Sequence, residues 1–309
     1  MKKMKFHTLG VLNRTPNSFS DAGNFLDKEK LFSLLFTHLN SDKTILDIGF
    51  ESTAPMNQAI SNEEEWNRFK EWFTLFKEFI ALNPDLLPAM ISIDTYKIQN
   101  FKRIYREFKS VYSKMEIIFN DVSGVLDHEL LEFLPLMKKG ESYDDAFYIF
   151  CSTKIPDRKN VHEHMKTLNE ADDIVSDTLA QFKKVIDLFT NESILDKLIL
   201  DPGFGFSKTY RDNWKLIKNF EELLDNLPNT PMMIPILIGV SKKSFMQKKL
   251  LEMMKLEKMD NCKNESEIIH FQLIIYFNNM SYPFYYRVHS PSIVELALKT
   301  NLADFSNLF

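Results

Sequence analysis

Cysteine is nearly absent from this 309-residue chain, which has only Cys151 and Cys262. Two thiols make no disulfide framework, and so thiol-poor a chain suits a reducing compartment. Positive charge is not in surplus either. Lys and Arg number 38 against 43 Asp and Glu, a net charge of -5, so the clustered basic footprint that DNA or RNA requires is missing. Long apolar runs are also lacking, and no stretch reads as a bilayer span. The start, MKKMKFHTLGVLN, is basic, but its apolar run stops at Asn13 and Arg14. A secretory signal needs a longer apolar core and a small-residue cleavage site. No low-complexity linker divides the chain. These absences lead to the expectation of one cytoplasmic domain over residues 1–309, with neither nucleic acid nor membrane among its partners.

What the chain does contain is apolar: 44% hydrophobic and 13% aromatic, ample for a buried core. Short β-branched or aromatic runs recur at 7–13, 44–50, 89–95, 116–122, 147–152, 197–203, 235–241 and 284–290. Between them the apolar spacing becomes helical, as in Trp66, Phe69, Phe73, Phe76 and Ile80, or Ile98, Phe101, Ile104 and Tyr105. Leu31, Leu34 and Leu35 read the same way, and Ile293, Leu296 and Leu298 are taken as the apolar face of a last helix. SNEE at 61–64 reads as a cap with acids in the first turn, and Pro291 follows Ser290 as a helix entry. Strands alternating with helices imply parallel pairing with right-handed crossovers. Eight such units favour closure into a (β/α)8 TIM barrel, with extra helix or loop at 153–196 and 246–283.

A barrel of this kind builds its active site at the carboxyl ends of its strands. Those ends carry Asn13, Thr53, Asp94, Asn120, Ser152, Asp201, Ser241 with Lys242 and Lys243, then Arg287 and His289. For any one of them a wet loop is explanation enough. Solvated loops do not, however, require acids inside apolar runs such as ISIDTYK and LILDPGFGFSK. Asp94 and Asp201 should therefore be buried and need donors or a cation; the competing reading makes them helix caps. LILDPGFGFSK also crowds two phenylalanines and Lys208 around two glycines, which let backbone approach a ligand closely. Other signals are weaker. HEHM at 162–165 has histidines two apart, a poor zinc spacing, and reads as a solvated loop. Cys151 reads as a small buried residue. The lysines of MQKKLLEMMKLEK read as the wet face of an amphipathic helix whose methionines and leucines pack on the barrel or on another subunit.

GVLNRTPNSFSDAG resembles the pattern GILNVTPDSFSDGG of the dihydropteroate synthase family. The likeness continues in order through DIGFEST, SIDTYK, FNDVSG, LDPGFGFSK, GVSKKSF and RVH, seven blocks spread over most of the chain. The resemblance implies a transferase of folate biosynthesis. It would join p-aminobenzoate to a dihydropterin carrying a CH2-pyrophosphate, with Mg2+ as cofactor and release of pyrophosphate. It also implies roles. Asp94, Asn120, Asp201, Gly239 and Lys243 would bind the pterin, with Asp94, Asp201 and Lys243 counted as catalytic. Pro55, Phe206, Ser241 and Lys243 would form the p-aminobenzoate slot, leaving Phe204 to the core. Asn13, Thr53, Arg287 and His289 would take the pyrophosphate, and Asn13 would be the metal-associated residue. A homodimer through helices late in the barrel is implied as well, and any fused pyrophosphokinase would be a separate chain.

The chain also departs from the family. Ala54 stands where the family has an arginine, Asn17 where it has an aspartate, and Cys151 and Ser152 where it has a His-Met pair. Lys242 replaces the arginine before Lys243, and Ser290 the aspartate after RVH. Arg14 is a candidate substitute for the missing loop arginine. The alternative to an active enzyme is a non-catalytic or weakly active pterin-binding homologue with a regulatory or binding role. A barrel passing methyl groups from a folate to a corrinoid protein would lack the first and sixth blocks.

Overall fold

The computed structural model describes residues 7–13, 27–41, 43–53, 57–164, 170–255 and 266–300. Eight parallel strands run β1 (Thr8–Asn13), β2 (Thr44–Gly49), β3 (Met90–Asp94), β4 (Glu116–Asp121), β5 (Ala146–Cys151), β6 (Leu198–Asp201), β7 (Ile236–Ile238) and β8 (Phe284–Val288). They close in sequence order into a barrel, with β8 returning to β1. Every strand falls on a run expected from the sequence, trimmed where the loops begin, except that β5 starts one residue ahead of its run, at Ala146. The seam is thinnest between β6 and β7, where Leu200 opposite Ile236 is the paired register. Among the described residues no helix is long and apolar enough to cross a membrane.

Helices between the strands cover the barrel, as the periodicity predicts. Ser61 caps the helix Asn62–Leu82 by accepting the Glu64 N–H at 3.0 Å. The buried face of that helix stacks Trp72 on Phe76 at 4.9 Å, and Phe73 meets Phe108 of the helix Ile98–Val111 edge-on at 4.7 Å. Extra helix lies where length was in excess, at Ile174–Asn191, Ser244–Met254 and Glu267–Asn278. The last helix, Pro291–Leu298, corrects the expectation. It buries Val294 and Ala297, whereas Leu296 is 60% and Leu298 36% exposed. Residues two apart on a helix diverge by about 200°, so 296 and 298 cannot share a face.

The barrel interior follows from the two-residue period of a strand. Leu9, Ile45, Met90, Ile118, Ile149, Ile199, Leu237 and Tyr285, one from each strand, pack into an apolar plug. Two residues further along each chain segment come Val11, Asp47, Ser92, Asn120, Cys151, Asp201, Gly239 and Arg287. All but one of this second tier are polar or small. The plug seals one end of the barrel, and the second tier faces the other.

Candidate active site

Arg287 organises the second tier. Its Nε donates to Asp47 Oδ2 at 2.6 Å and its Nη2 to Asp94 Oδ2. Asp47 Oδ1 accepts Ser92 Oγ at 2.6 Å and Asn120 Nδ2 at 3.1 Å. Burial works against the guanidinium charge, but Asp47 and Asp94 outweigh it and hold the Arg287 pKa above its ordinary value. The Asp94 carboxyl is pushed up to about 6 by desolvation and by Asp47, against the pull of Arg287 and Lys243. Sharing the one guanidinium with Asp47 leaves the Asp94 carboxylate incompletely compensated.

Asp201 and Lys243 complete the cluster. Desolvation raises the Asp201 pKa, opposed by the Gly203 N–H, which donates to Oδ1 at 2.7 Å, and by Lys243 and Arg287. Desolvation and Arg287 push the Lys243 ammonium down to about 8, against Asp201 and Asp94. Asp94, Asp201, Lys243 and Arg287 thus feel one another's charge, and Asn120 joins them through Asp47. Four of the residues named for the pterin, Asp94, Asn120, Asp201 and Lys243, therefore meet at the carboxyl ends of the strands. Neither acid caps a helix: the helix after β3 has Lys97 at its cap position with no side-chain bond, and Asp201 closes the turn onto Gly203. The fifth, Gly239, sits beside Arg287, where an added Cβ would lie 3.8 Å from the arginine Cβ.

The turn DPGFGFSK is built around its glycines. Gly203 has φ +66, and a Cβ there would stand 2.1 Å from the Ser152 carbonyl oxygen. Gly205 has φ +79, with a Cβ site 3.0 Å from Lys243 Cδ. The two phenylalanines separate as expected. Phe204 is 1% exposed among Phe220, Phe245 and Phe277. Phe206 faces the site, its ring centroid 4.3 Å from Lys243 Nζ and 4.6 Å from the His164 ring. Lys208 is a strut for the turn, donating to the carbonyls of Ser152 at 2.7 Å, Gly203 at 3.3 Å and Phe206 at 3.4 Å.

The remaining candidates flank this cluster. Ser241 Oγ lies 3.0 Å from His289 Nδ1 and donates to Glu267 Oε1 at 3.3 Å. His289 is held below the usual histidine range by desolvation of its inner side and by Lys242 and Arg287; water on its outer side screens much of that push. Asn13 ends β1 opposite Gly49, and a Cβ on that glycine would stand 2.8 Å from Asn13 Oδ1 and 3.4 Å from Asp94 Oδ2. Thr53 offers its carbonyl to His164. Cys151 is buried as expected, and burial pushes its thiol pKa well up. Arg14, Asn17, Ala54, Pro55 and Cys262 lie outside the described residues.

Several site residues escaped the sequence reading. Asp47 carries the same signal as Asp94 and Asp201, an acid inside an apolar run in TILDIGF. Arg158 pairs with Asp121 at 2.7 Å and Asp127 at 2.9 Å and also bonds Ser123, locking the loops after β4 and β5 together. HEHM is not a solvated loop: His162 bonds Glu51 at 2.7 Å, and His164 is 7% exposed against Phe206. Among the described residues no group of three His, Cys, Asp or Glu stands where it could hold a metal.

Parallel barrels with titratable clusters at the carboxyl ends of their strands form a class of enzyme scaffold. Within that class, the chain belongs to the pterin binding enzyme family, which it matches over residues 9–272. It is 30% identical to the dihydropteroate synthase of Escherichia coli over 246 residues, covering 77% of this chain and 73% of that protein. It is also 30% identical over 243 residues to the mitochondrial folate synthesis bifunctional protein of Pisum sativum. That match takes 77% of this chain but spans 43% of the plant protein. The fold is shared with Plasmodium falciparum HPPK-DHPS solved with pterin and p-hydroxybenzoate, at TM-score 0.72 and 23% identity, covering 97% of this chain and 50% of that one.

Proposed function

We propose that the protein is a dihydropteroate synthase, joining p-aminobenzoate to 6-hydroxymethyl-7,8-dihydropterin pyrophosphate in folate biosynthesis. The observation that carries this reading is the meeting of Asp94, Asn120, Asp201 and Lys243 beside Phe206 at one end of a closed barrel. The relative of the same name in Escherichia coli supports it.

In this reading the Asp201 carboxylate accepts the paired N–H groups of the pterin edge, with Asp94 and Asn120 extending that edge. Lys243 donates to the ring carbonyl and nitrogen. As the C–O bond to pyrophosphate breaks, positive charge grows on the pterin methylene, and the Asp94 and Asp201 carboxylates stabilise it. The amine nitrogen of p-aminobenzoate then forms the C–N bond and gives up one proton to solvent. Phe206 and Ser241 hold the flat ring against Lys243, so attack starts from a fixed geometry.

Arg287, His289, Thr53 and Asn13 take the leaving group. Arg287 is bonded to Asp47 and Asp94, so pyrophosphate oxygens compete with Asp94 for its Nη2 while Asp47 keeps hold of Nε. The residues present fit a Mg2+ ion shared with the substrate. The Asn13 and Asp94 side-chain oxygens both lie close to Gly49, and these two residues would hold the ion, few protein ligands being what Mg2+ requires. When bound, that ion neutralises charge on departing pyrophosphate.

A cytoplasmic homodimer completes the proposal. Met253, Met254, Ile268 and Leu296 are exposed on helices late in the barrel, where a second copy would cover them. Sedimentation velocity reads this directly. For the activity, purified protein is incubated with the pterin pyrophosphate, p-aminobenzoate and Mg2+. Pyrophosphate release with formation of dihydropteroate is expected; pterin binding without release would instead support a non-catalytic binding role.

A further inference from the structure

We propose that His164 is a positioning residue for the p-aminobenzoate slot, acting through Phe206 and Thr53 without touching a reacting atom. The inference rests on the function proposed above and adds to it a residue outside the seven family blocks.

The histidine lies at the end of a tight 3-10 turn, Arg158–Glu163, in the loop after β5. Successive residues of such a turn are about 120° apart, so His162 and His164 diverge by about 240° and bond different partners. His162 Nε2 meets Glu51 Oε1 at 2.7 Å. Glu51 also accepts the Ile60 N–H at 3.1 Å, the Tyr96 hydroxyl at 3.0 Å and Lys97 Nζ at 2.5 Å, which ties it to the loop after β3. His164 Nε2 reaches the Thr53 carbonyl at 3.1 Å, two residues along the same loop. One short segment therefore pins the loop after β2 at two points. A carbonyl only accepts, so Nε2 must be the protonated nitrogen of His164. Nδ1 is buried with no hydrogen-bond partner among the described residues, as a neutral imidazole permits. Desolvation supports that state, holding the ring pKa down to about 4.

The other face of the same imidazole packs on Phe206, with centroids 4.6 Å apart and rings inclined at 33°. Lys243 stands over the Phe206 ring at 4.3 Å. The phenylalanine is thus gripped by a catalytic cation and by a histidine whose own orientation is fixed by Thr53. Displacing His164 releases the slot wall and the loop bearing Thr53 together, while Asp201, Asn120 and Lys208 keep their separate bonds to the barrel.

The test compares His164→Leu with His164→Gln in steady-state kinetics with both substrates varied. His164→Leu keeps bulk but loses the donor and the flat ring. It is expected to raise KM for p-aminobenzoate about tenfold while moving KM for the pterin pyrophosphate less than about twofold. His164→Gln restores an N–H toward Thr53 and should recover part of that loss. Equal movement of both KM values, or of neither, overturns the assignment, as does a glutamine variant no better than leucine. If His164→Leu does not fold, His164→Asn, too short to reach Thr53, takes its place in the comparison. Wild-type protein run alongside separates the two claims. If it binds both substrates without releasing pyrophosphate, the proposed function fails, and p-aminobenzoate titrations of the same variants with bound pterin decide the histidine assignment.

Discussion

Gly205 and Lys243 touch: a Cβ on the glycine would stand 3.0 Å from the lysine Cδ, and the glycine φ is +79. The turn therefore passes close enough to hold the lysine stem against Phe206. Gly205→Ala should suffer twice, from left-handed strain of about 1–2 kcal/mol and from displacement of the ammonium. We expect kcat/KM to fall about tenfold or more. Gly140→Ala isolates the first effect, since Gly140 has φ +86 with nothing within 4 Å of its Cβ site. Urea unfolding should show similar losses for both variants, and kinetics a loss for Gly205→Ala only.

Arg158 is a second structural dependence, away from the chemistry. Its guanidinium is buried against Asp121, whose carboxylate also accepts Tyr148 Oη at 2.8 Å and Ser123 Oγ at 2.6 Å. Arg158→Met leaves that carboxylate without its cation, a loss typically of about 3–5 kcal/mol. Chemical denaturation should show a drop of that size, and adding Asp121→Asn should return part of it. A midpoint unmoved by Arg158→Met would mean that the hydroxyl donors suffice.

Most of this architecture was legible in the sequence, for identifiable reasons. Strand positions followed from apolar runs because parallel strands buried on both faces carry little else. Asp94 and Asp201 stood out as acids inside such runs. Asp47 shows the same pattern, but the resemblance assigns roles only to the loop that follows it, at Thr53 and Pro55. Phe204 and Phe206 were told apart by the family blocks alone. His164 was not legible at all: its contacts with Thr53 and Phe206 join three different loops, and an irregular turn sets its direction. The last helix was misread because 296 and 298 do not share a helical face.

Asp47 orients Arg287, and that orientation has a measurable consequence. In Asp47→Asn the Arg287 Nε loses its carboxylate, and the arginine falls more fully to Asp94. Affinity for pyrophosphate as product inhibitor should weaken about fivefold or more, the cost of misplacing one charge-assisted donor. Inhibition constants unchanged from wild type would show that Asp47 does not orient the arginine.

The same variant should also shift the pH dependence of activity. Asp94 must be ionised to accept from the pterin, and its pKa of about 6 means activity falls as pH drops through that value. Lys243 must be protonated to donate, and its pKa of about 8 means activity falls as pH rises through that value. A plot of kcat/KM against pH should therefore be bell-shaped, with limbs near 6 and 8. Lys243→Arg keeps its charge at any working pH, so the alkaline limb should vanish even if the maximum falls. Asp47→Asn removes a negative charge that raises the Asp94 pKa and strengthens the hold of Arg287 on Asp94. Both effects act in one direction, so the acid limb should move to lower pH. An acid limb that stays in place in Asp47→Asn would assign it to some group other than Asp94.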